Sequence, residues 1–158
     1  MKNYGKKIST PDEALKKAER YCAFQERSQQ EVRDKLYSLG LHRNDVENLL
    51  SMLIGSGFVK EERFASAFAG GKFRIKKWGR NKIRMALREK KVSEPLIKRA
   101  LSEIDEREYR KTLLDILNSR SKKITENNLL KKNYKVASYA IARGFEPELV
   151  WELIQEQE

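Results

Sequence analysis

Apolar side chains recur at intervals of three and four residues along most of the chain. Val46 and Leu53 belong to one such series, and this spacing places them on one face of an α-helix. Helix starts are marked at residues 10–13 and 28–31, where a hydroxyl is followed three positions later by a carboxylate. The pattern predicts three helices within the first 57 residues. Their predicted ends are near Phe24, at Gly40 and around Gly55.

The same arrangement recurs twice further along the chain. Six apolar positions are matched 51 residues later, and five of them are matched again 104 residues after the first copy. The turn between two helices falls at Gly40 in the first copy, at Lys91 in the second and at Gly144 in the third. The matched residues are Val32, Leu36, Leu41, Val46, Leu50 and Leu53; Ile83, Leu87, Val92, Ile97, Leu101 and Ile104; and Val136, Ala140, Phe145, Val150 and Ile154.

Repetition of a unit of about 50 residues predicts an all-α fold, a tandem array of three three-helix repeats that is elongated and curved. Units of this size cannot bury a large core alone, so we expect neighbouring units to stack. The predicted organisation is a tail at residues 1–9 followed by units at 10–57, 58–104 and 105–158. The alternative is one compact helical bundle in which the repeated spacing is a coincidence.

Composition narrows the chemistry that one chain can perform. One histidine and one cysteine among 158 residues cannot form a His/Cys metal cluster or a Ser-His-Asp triad. The pair Gly70-Gly71 lacks the spacing of a phosphate-binding loop, and we expect a bend or a close approach there. We therefore expect no catalytic residue, no metal site and no cofactor. The sequence shows neither an apolar run long enough to span a bilayer nor a secretory signal, so we expect a cytoplasmic protein without membrane contacts.

Charge is the main indication of a partner. The chain carries 34 Lys and Arg against 23 Asp and Glu, a formal net charge of +11. The excess is uneven: residues 1–60 contribute +3, residues 61–100 contribute +9 and residues 101–158 contribute −1. A concentrated positive charge favours an anionic partner such as nucleic acid or an acidic protein groove. The second predicted unit is therefore the candidate binding unit.

Within that unit, basic side chains follow one another from residue 72 to residue 91 with only Glu89 opposing them. A helix that begins near Gly79 would place three arginines on successive turns, where their mutual repulsion would be relieved by an anion. The alternative is a solvated helix face. The candidate partner- and anion-binding residues are Lys72, Arg74, Lys76, Lys77, Arg80, Lys82, Arg84, Arg88 and Lys91. Two aromatic residues are interleaved with them: Phe73 and Trp78, the latter either stacked on a base or buried as a core residue.

Three motifs follow one another along the first two predicted units. They are the capping box Arg27-Ser28-x-x-Glu31, the junction from Gly57-Phe58-Val59 to Arg63-Phe64-Ala65, and Gly79-Arg80-x-Lys82-Ile83 after Trp78. In this order and spacing they resemble the RecX family of bacterial regulators of the RecA recombinase. The resemblance covers about residues 12–156.

The resemblance implies tandem three-helix units, which the periodicity indicates independently, and a function that composition does not supply. It implies a non-enzymatic protein that lies in the groove of the RecA–DNA filament and restrains filament growth, ATP hydrolysis and strand exchange. The implied partner is the RecA filament, with single- or double-stranded DNA reached through the filament, and we expect a monomer. The alternative function is that of a stand-alone helical nucleic-acid-binding protein that uses the basic middle repeat.

Overall fold

The computed structural model of the protein describes residues 8–158, so residues 1–7 of the predicted tail lie outside the described residues. Over the described range the secondary structure consists of nine α-helices without a strand. The helices are α1 (Pro11–Phe24), α2 (Gln29–Ser38), α3 (Arg43–Gly55), α4 (Glu61–Arg74), α5 (Arg80–Glu89), α6 (Glu94–Ser102), α7 (Glu106–Lys123), α8 (Leu129–Ala142) and α9 (Pro147–Glu156).

The predicted helix starts are present at the N-termini of α1 and α2. The Thr10 hydroxyl accepts a hydrogen bond from the Glu13 amide at 3.3 Å. At α2 the box is reciprocal: the Ser28 hydroxyl accepts from the Glu31 amide at 3.0 Å, and the Glu31 carboxylate accepts from the Ser28 amide at 3.2 Å. Two otherwise orphaned backbone donors are thereby satisfied at this end.

Helices that pack closely on one another form three consecutive triplets. The contacts join α1, α2 and α3; then α4, α5 and α6; then α7, α8 and α9. This arrangement confirms the predicted all-α fold of tandem three-helix repeats. We propose that the units are divided near residues 57 and 105, in the connections between the triplets. Phe58 and Val59, predicted to open the second unit, pack against the core of the first.

Every apolar residue of the repeated register is buried, at a relative exposure of 9% or less. The three turn positions are also equivalent in backbone conformation, with φ of 90° at Gly40, 60° at Lys91 and 100° at Gly144. This left-handed region closes the second helix of each triplet and directs the chain back into the third. The repeated spacing is therefore structural.

The buried residues form two separate cores. One contains 11 residues: ten between Ala14 and Leu53, and Val59 in the connection that follows α3. The other contains 22 residues that run from α4 through α9, so the second and third triplets share one hydrophobic core. The first triplet is thus the more independent part of the molecule.

The helix α4 runs without interruption through Gly70 and Gly71. Gly70 provides the close approach, because a Cβ there would lie 2.9 Å from the guanidinium nitrogens of Arg74.

Among the described residues, none of the helices has the length and apolar character that crossing a membrane requires.

Candidate partner-binding surface

The predicted basic residues lie along the end of α4, the connection to α5, α5 itself and the turn that follows it. The helix α5 begins directly after Gly79, as predicted, and extends about 15 Å along its axis. Side chains at its two ends are therefore too far apart to contact one another. Lys91, in the turn beyond α5, is not brought together with Lys76 and Lys77 at the start.

Arg80 is an internal ion-pair residue. Its guanidinium is bound by Glu146, at 2.7 Å, and by Glu106, and it lies over the ring of Tyr109, 3.7 Å from the centroid. Burial alone would lower the pKa of Arg80, but the hydrogen bond and charge of Glu146, supported by Glu106, raise it overall. Its charge is thus balanced within the fold by two carboxylates.

The other two arginines of the predicted stripe also have partners. Arg88 makes a bidentate pair with Glu94, at 2.6 and 3.2 Å. Arg84 donates to the Asn81 side-chain oxygen at 2.8 Å and lines a cavity whose wall includes Glu106. These carboxylates come from outside the 72–91 segment, so the local surplus of positive charge overstates what this face of α5 presents.

Arg74 and Phe73 face away from the basic connection. The Arg74 side chain folds back over Gly70 into a depression that also contains Glu103 and Glu108. Phe73 is 4% exposed and packs on Tyr109 with a ring-centroid separation of 5.7 Å. Phe73 is therefore a core residue, and it does not present a ring to a ligand.

Two lysines flank Trp78, one from the end of α4 and one from the first turn of α5. The ammonium groups of Lys72 and Lys82 lie 4.9 and 4.6 Å from the centre of the indole ring. Lys76 and Lys77 are exposed in the same connection. Trp78 is half-buried and packs against the larger core, so one aromatic side chain anchors the connection and positions two cations. We call Lys72, Lys76, Lys77, Lys82 and Trp78 the lysine cluster.

In the part of the chain that the structure describes, none of the four lysines of the cluster forms a salt bridge within 4.0 Å. Lys72 nevertheless lines a depression that also contains Glu31, Asp34 and Glu89, and Lys77 lines one that contains Asp115. The structure thus divides the predicted set into three parts: the lysine cluster, four arginines that face carboxylates or an amide, and the isolated Lys91. The four lysines without a salt bridge lie at the end of α4, in the α4–α5 connection and in the first turn of α5, and do not extend along α5.

A seam between the second and third triplets, unforeseen in the sequence, holds this surface in place. The Gly79 amide donates to the Arg143 carbonyl, and the Asn81 amide donates to the Gly144 carbonyl, each at 2.9 Å. Tyr109 accepts from the Arg80 amide and donates to Glu146. Burial, followed by that bond to Glu146, raises the pKa of Tyr109. The partners in these contacts are 29 to 64 residues apart along the chain, so they carry no local sequence signal.

Reactive side chains are few. Cys22 is buried in the first core, and burial raises the pKa of its thiol, which disfavours the nucleophilic thiolate. The described residues contain no group of three or more His, Cys, Asp or Glu side chains that could hold a metal ion. What the surface offers is charge and one aromatic ring.

Two family models match the chain over half of its length. Residues 14–53 match the first three-helix domain of RecX, and residues 61–101 match the second. The chain belongs to the RecX family. Among its relatives, the regulatory protein RecX of Clostridium botulinum (strain Eklund 17B / Type B) is 28% identical over 153 residues, which cover 94% of this chain and 68% of that protein.

Other RecX proteins agree in length and fold. The regulatory protein RecX of Prosthecochloris aestuarii (strain DSM 271 / SK 413) is 28% identical over 145 residues, 90% of this chain and 92% of that protein. The crystal structure of RecX from Lactobacillus salivarius superimposes with a TM-score of 0.84 at 19% identity, covering 92% of this chain and 95% of that one. At that identity the superposition establishes the common fold.

The motifs that indicated the RecX family have structural roles in this chain. Arg27 lies over the Tyr21 ring, 3.7 Å from its centroid, and donates to the Tyr21 carbonyl. Arg63 binds Glu26 at 2.5 Å and the Gly57 carbonyl at 2.9 Å, which ties α4 to the preceding connection. These residues hold the repeats together. The motifs therefore identify the fold more directly than the binding surface.

Proposed function

We propose that this RecX protein is a non-enzymatic regulator that binds the RecA–DNA filament and restrains ATP hydrolysis, filament growth and strand exchange. Membership of a family whose members are named regulatory proteins supports the regulatory part of the proposal. The RecA filament is the partner that the family resemblance implies. In this proposal the protein acts as a monomer in the cytoplasm.

The observation that carries the proposal is the lysine cluster on a tandem array of helical triplets. Four ammonium groups without internal carboxylate partners create a positive potential at one place on the molecule, and Trp78 holds two of them. A series of stacked triplets presents an extended surface that can follow another extended object. The lysine cluster is the proposed electrostatic anchor on an anionic groove formed by acidic protein surface or DNA phosphates.

The test is the ATPase activity of RecA on single-stranded DNA with increasing amounts of this protein. We expect the wild-type chain to slow hydrolysis at stoichiometric amounts or below. The triple variant Lys76→Gln, Lys77→Gln, Lys82→Gln removes three charges from the anchor, so we expect at least tenfold more protein to be required for half-maximal inhibition. A loss of this size equals about 1.4 kcal/mol of binding free energy.

The matched control is the triple variant Lys16→Gln, Lys98→Gln, Lys111→Gln, which removes the same charge from three exposed lysines outside the cluster. We expect it to inhibit like the wild type. Unchanged hydrolysis at a several-fold excess of folded wild-type protein would refute the function. Equal losses in both triple variants would refute the anchor while leaving the function intact.

The second candidate is a nucleic-acid-binding protein that acts without RecA. The observation that favours it is Trp78, a partly exposed ring flanked by two lysines, which is a recurrent arrangement in single-strand binding sites. This function predicts tight binding to DNA in the absence of RecA, with affinity that falls steeply with salt. Strong RecA inhibition together with weak binding to free DNA would favour the first function over the second.

A further inference from the structure

A second group of cations lies at the seam between the second and third triplets, and of its members only Lys77 belongs to the predicted site. A cavity of about 280 Å³ opens between α7, α8 and the α4–α5 connection. Four basic side chains line it, against one carboxylate. They are Lys77, Arg120, Lys123 and Arg143, with Asp115 as the acidic member. We call this the seam cavity.

The two arginines are held in place by neighbouring groups. One terminal nitrogen of Arg143 donates to the Lys76 carbonyl at 2.6 Å, so its side chain crosses from one triplet to the other. Both guanidinium groups lie over the Tyr139 ring, with the guanidinium carbon 4.4 Å from the ring centroid for Arg120 and 5.8 Å for Arg143. Because the ring and the carbonyl restrain both side chains, a ligand would lose little affinity to side-chain ordering.

Both arginines retain unused hydrogen-bond donors. The Nε atoms of Arg120 and Arg143 are shielded from solvent, and neither donates to any acceptor in residues 8–158. A buried donor without a partner costs about 1–3 kcal/mol, and more when it is charged. In the same range no basic residue of the cavity forms a salt bridge within 4.0 Å. An anion in the cavity would supply the counter-charge that these basic side chains lack.

Size limits the ligand. The cavity volume of about 280 Å³ lies at the lower end of the roughly 300–1,000 Å³ that sites for drug-sized molecules occupy, so the cavity has room for one phosphate group. The hydroxyls of Thr112 and Ser119 also line it and can donate to oxygen. A phosphate group, with several oxygen acceptors and a negative charge, matches four cations and two hydroxyls better than a single carboxylate does.

We propose that the seam cavity binds a phosphate group of a polynucleotide backbone. Lys77 lines this cavity and is also a member of the lysine cluster. Arg143, from the cavity, donates a hydrogen bond to the backbone carbonyl of Lys76, another member of the cluster. The two basic sites are therefore continuous. A linear chain of phosphates can contact both at once, which a free anion cannot do. The site requires no RecA, so it goes beyond the proposed regulatory function.

The experiment compares two adjacent lysines at the C-terminal end of α7. Lys122 and Lys123 are both exposed, and only Lys123 lines the cavity. The affinity of each Gln variant for a fluorescent single-stranded oligo-dT of about 20 nucleotides is measured at several salt concentrations, without RecA. Each lost phosphate contact should lower the slope of log affinity against log salt by about 0.7.

We expect Lys123→Gln to lower the slope by about 0.7 and the double variant Arg120→Gln, Lys123→Gln by about 1.4, while Lys122→Gln leaves it close to the wild-type value. Thermal unfolding checks that each variant is folded. Lys123→Gln alone decides the outcome if the double variant unfolds, because its side chain is exposed.

Two results would overturn the proposal. One is an equal change of slope in Lys122→Gln and Lys123→Gln, which would mean that α7 acts only through its overall charge. The other is a slope that stays at the wild-type value in both variants, which would mean that Lys123 contacts no phosphate of the polynucleotide. A Tm that is then higher in phosphate than in chloride at equal ionic strength would assign the cavity to free phosphate. Neither result bears on the RecA ATPase assay, so the two proposals fail independently.

Discussion

Two lysines of the basic region adopt the left-handed backbone conformation that normally selects glycine. Lys77 has φ of 57° and Lys91 has φ of 60°. For a residue with a Cβ this conformation costs roughly 1–2 kcal/mol. The turn equivalent to Lys91 is occupied by glycine in the first and third triplets, at Gly40 and Gly144. The second triplet therefore has lysine at positions where backbone stability alone would favour glycine.

Replacing Lys91 by glycine should stabilise the protein. Relief of the left-handed strain exceeds the added flexibility of the unfolded chain, so Lys91→Gly should raise the free energy of unfolding by about 0.5–1 kcal/mol. Urea unfolding followed by circular dichroism measures the change. The control Lys91→Ala removes the same charge and keeps the Cβ, so it should give no gain. Equal gains in both variants would point to charge repulsion and not to backbone strain.

At the scale of the element, the decisive contact is between two glycines in different triplets. A Cβ on Gly79 would lie 2.2 Å from the Gly144 carbonyl carbon. The start of α5 therefore meets the α8–α9 turn backbone to backbone, and the hydrogen bonds of Gly79 and Asn81 close the seam. No side chain can occupy this space without separating the two elements.

The variant Gly79→Ala should open the seam and weaken the larger core. Overpacking of this kind costs about 1–3 kcal/mol and occasionally more, so the urea midpoint should fall. Gly71→Ala is the matched control, because a Cβ there meets nothing within 4 Å and alanine favours the interior of α4 by about 0.5–1 kcal/mol. A Gly79→Ala variant as stable as Gly71→Ala would show that the seam is not a rigid contact.

The limits of sequence reasoning also appear at this scale. Capping boxes and apolar spacing are local, so the starts of α1 and α2 and the buried register were predictable. Arg80 was not, because Glu106 and Glu146 reach it only after the third triplet has packed on the second. A count of charges along the chain shows where the basic residues lie in the sequence. Folding determines which of them remain unpaired.

At the scale of the whole molecule, the two connections between triplets are chemically different. The second and third triplets share a core of 22 buried residues. Between the first and second triplets the contacts are polar: the Gln29 amide donates to Glu61 at 3.2 Å, and Lys90 lies 3.8 Å from Glu31. Polar contacts at a surface contribute little to stability. The first triplet, with 11 buried residues, is held less firmly.

Hydrogen exchange should reveal this difference. We expect amides in α1–α3 to exchange at least tenfold faster than those in α4–α9, an opening free energy lower by about 1.4 kcal/mol or more. Mass spectrometry of peptides from each helix measures the rates at one pH and temperature. Uniform protection across all nine helices, with a single unfolding transition, would contradict the division into two cores.

The glycine seam also determines where the chain can change in length. One extra residue in the turn at Gly144 would displace the Gly144 carbonyl, which accepts a hydrogen bond from the Asn81 backbone amide. The start of α5 would then lose this contact with the third triplet. At Gly57, in the first connection, a Cβ meets no atom within 4 Å, but φ is 83° and the carbonyl accepts a hydrogen bond from Arg63, so this connection is constrained by its backbone. We therefore expect an inserted residue, or a foreign sequence fused into the chain, to be excluded from the turn at Gly144 because it would separate the second triplet from the third.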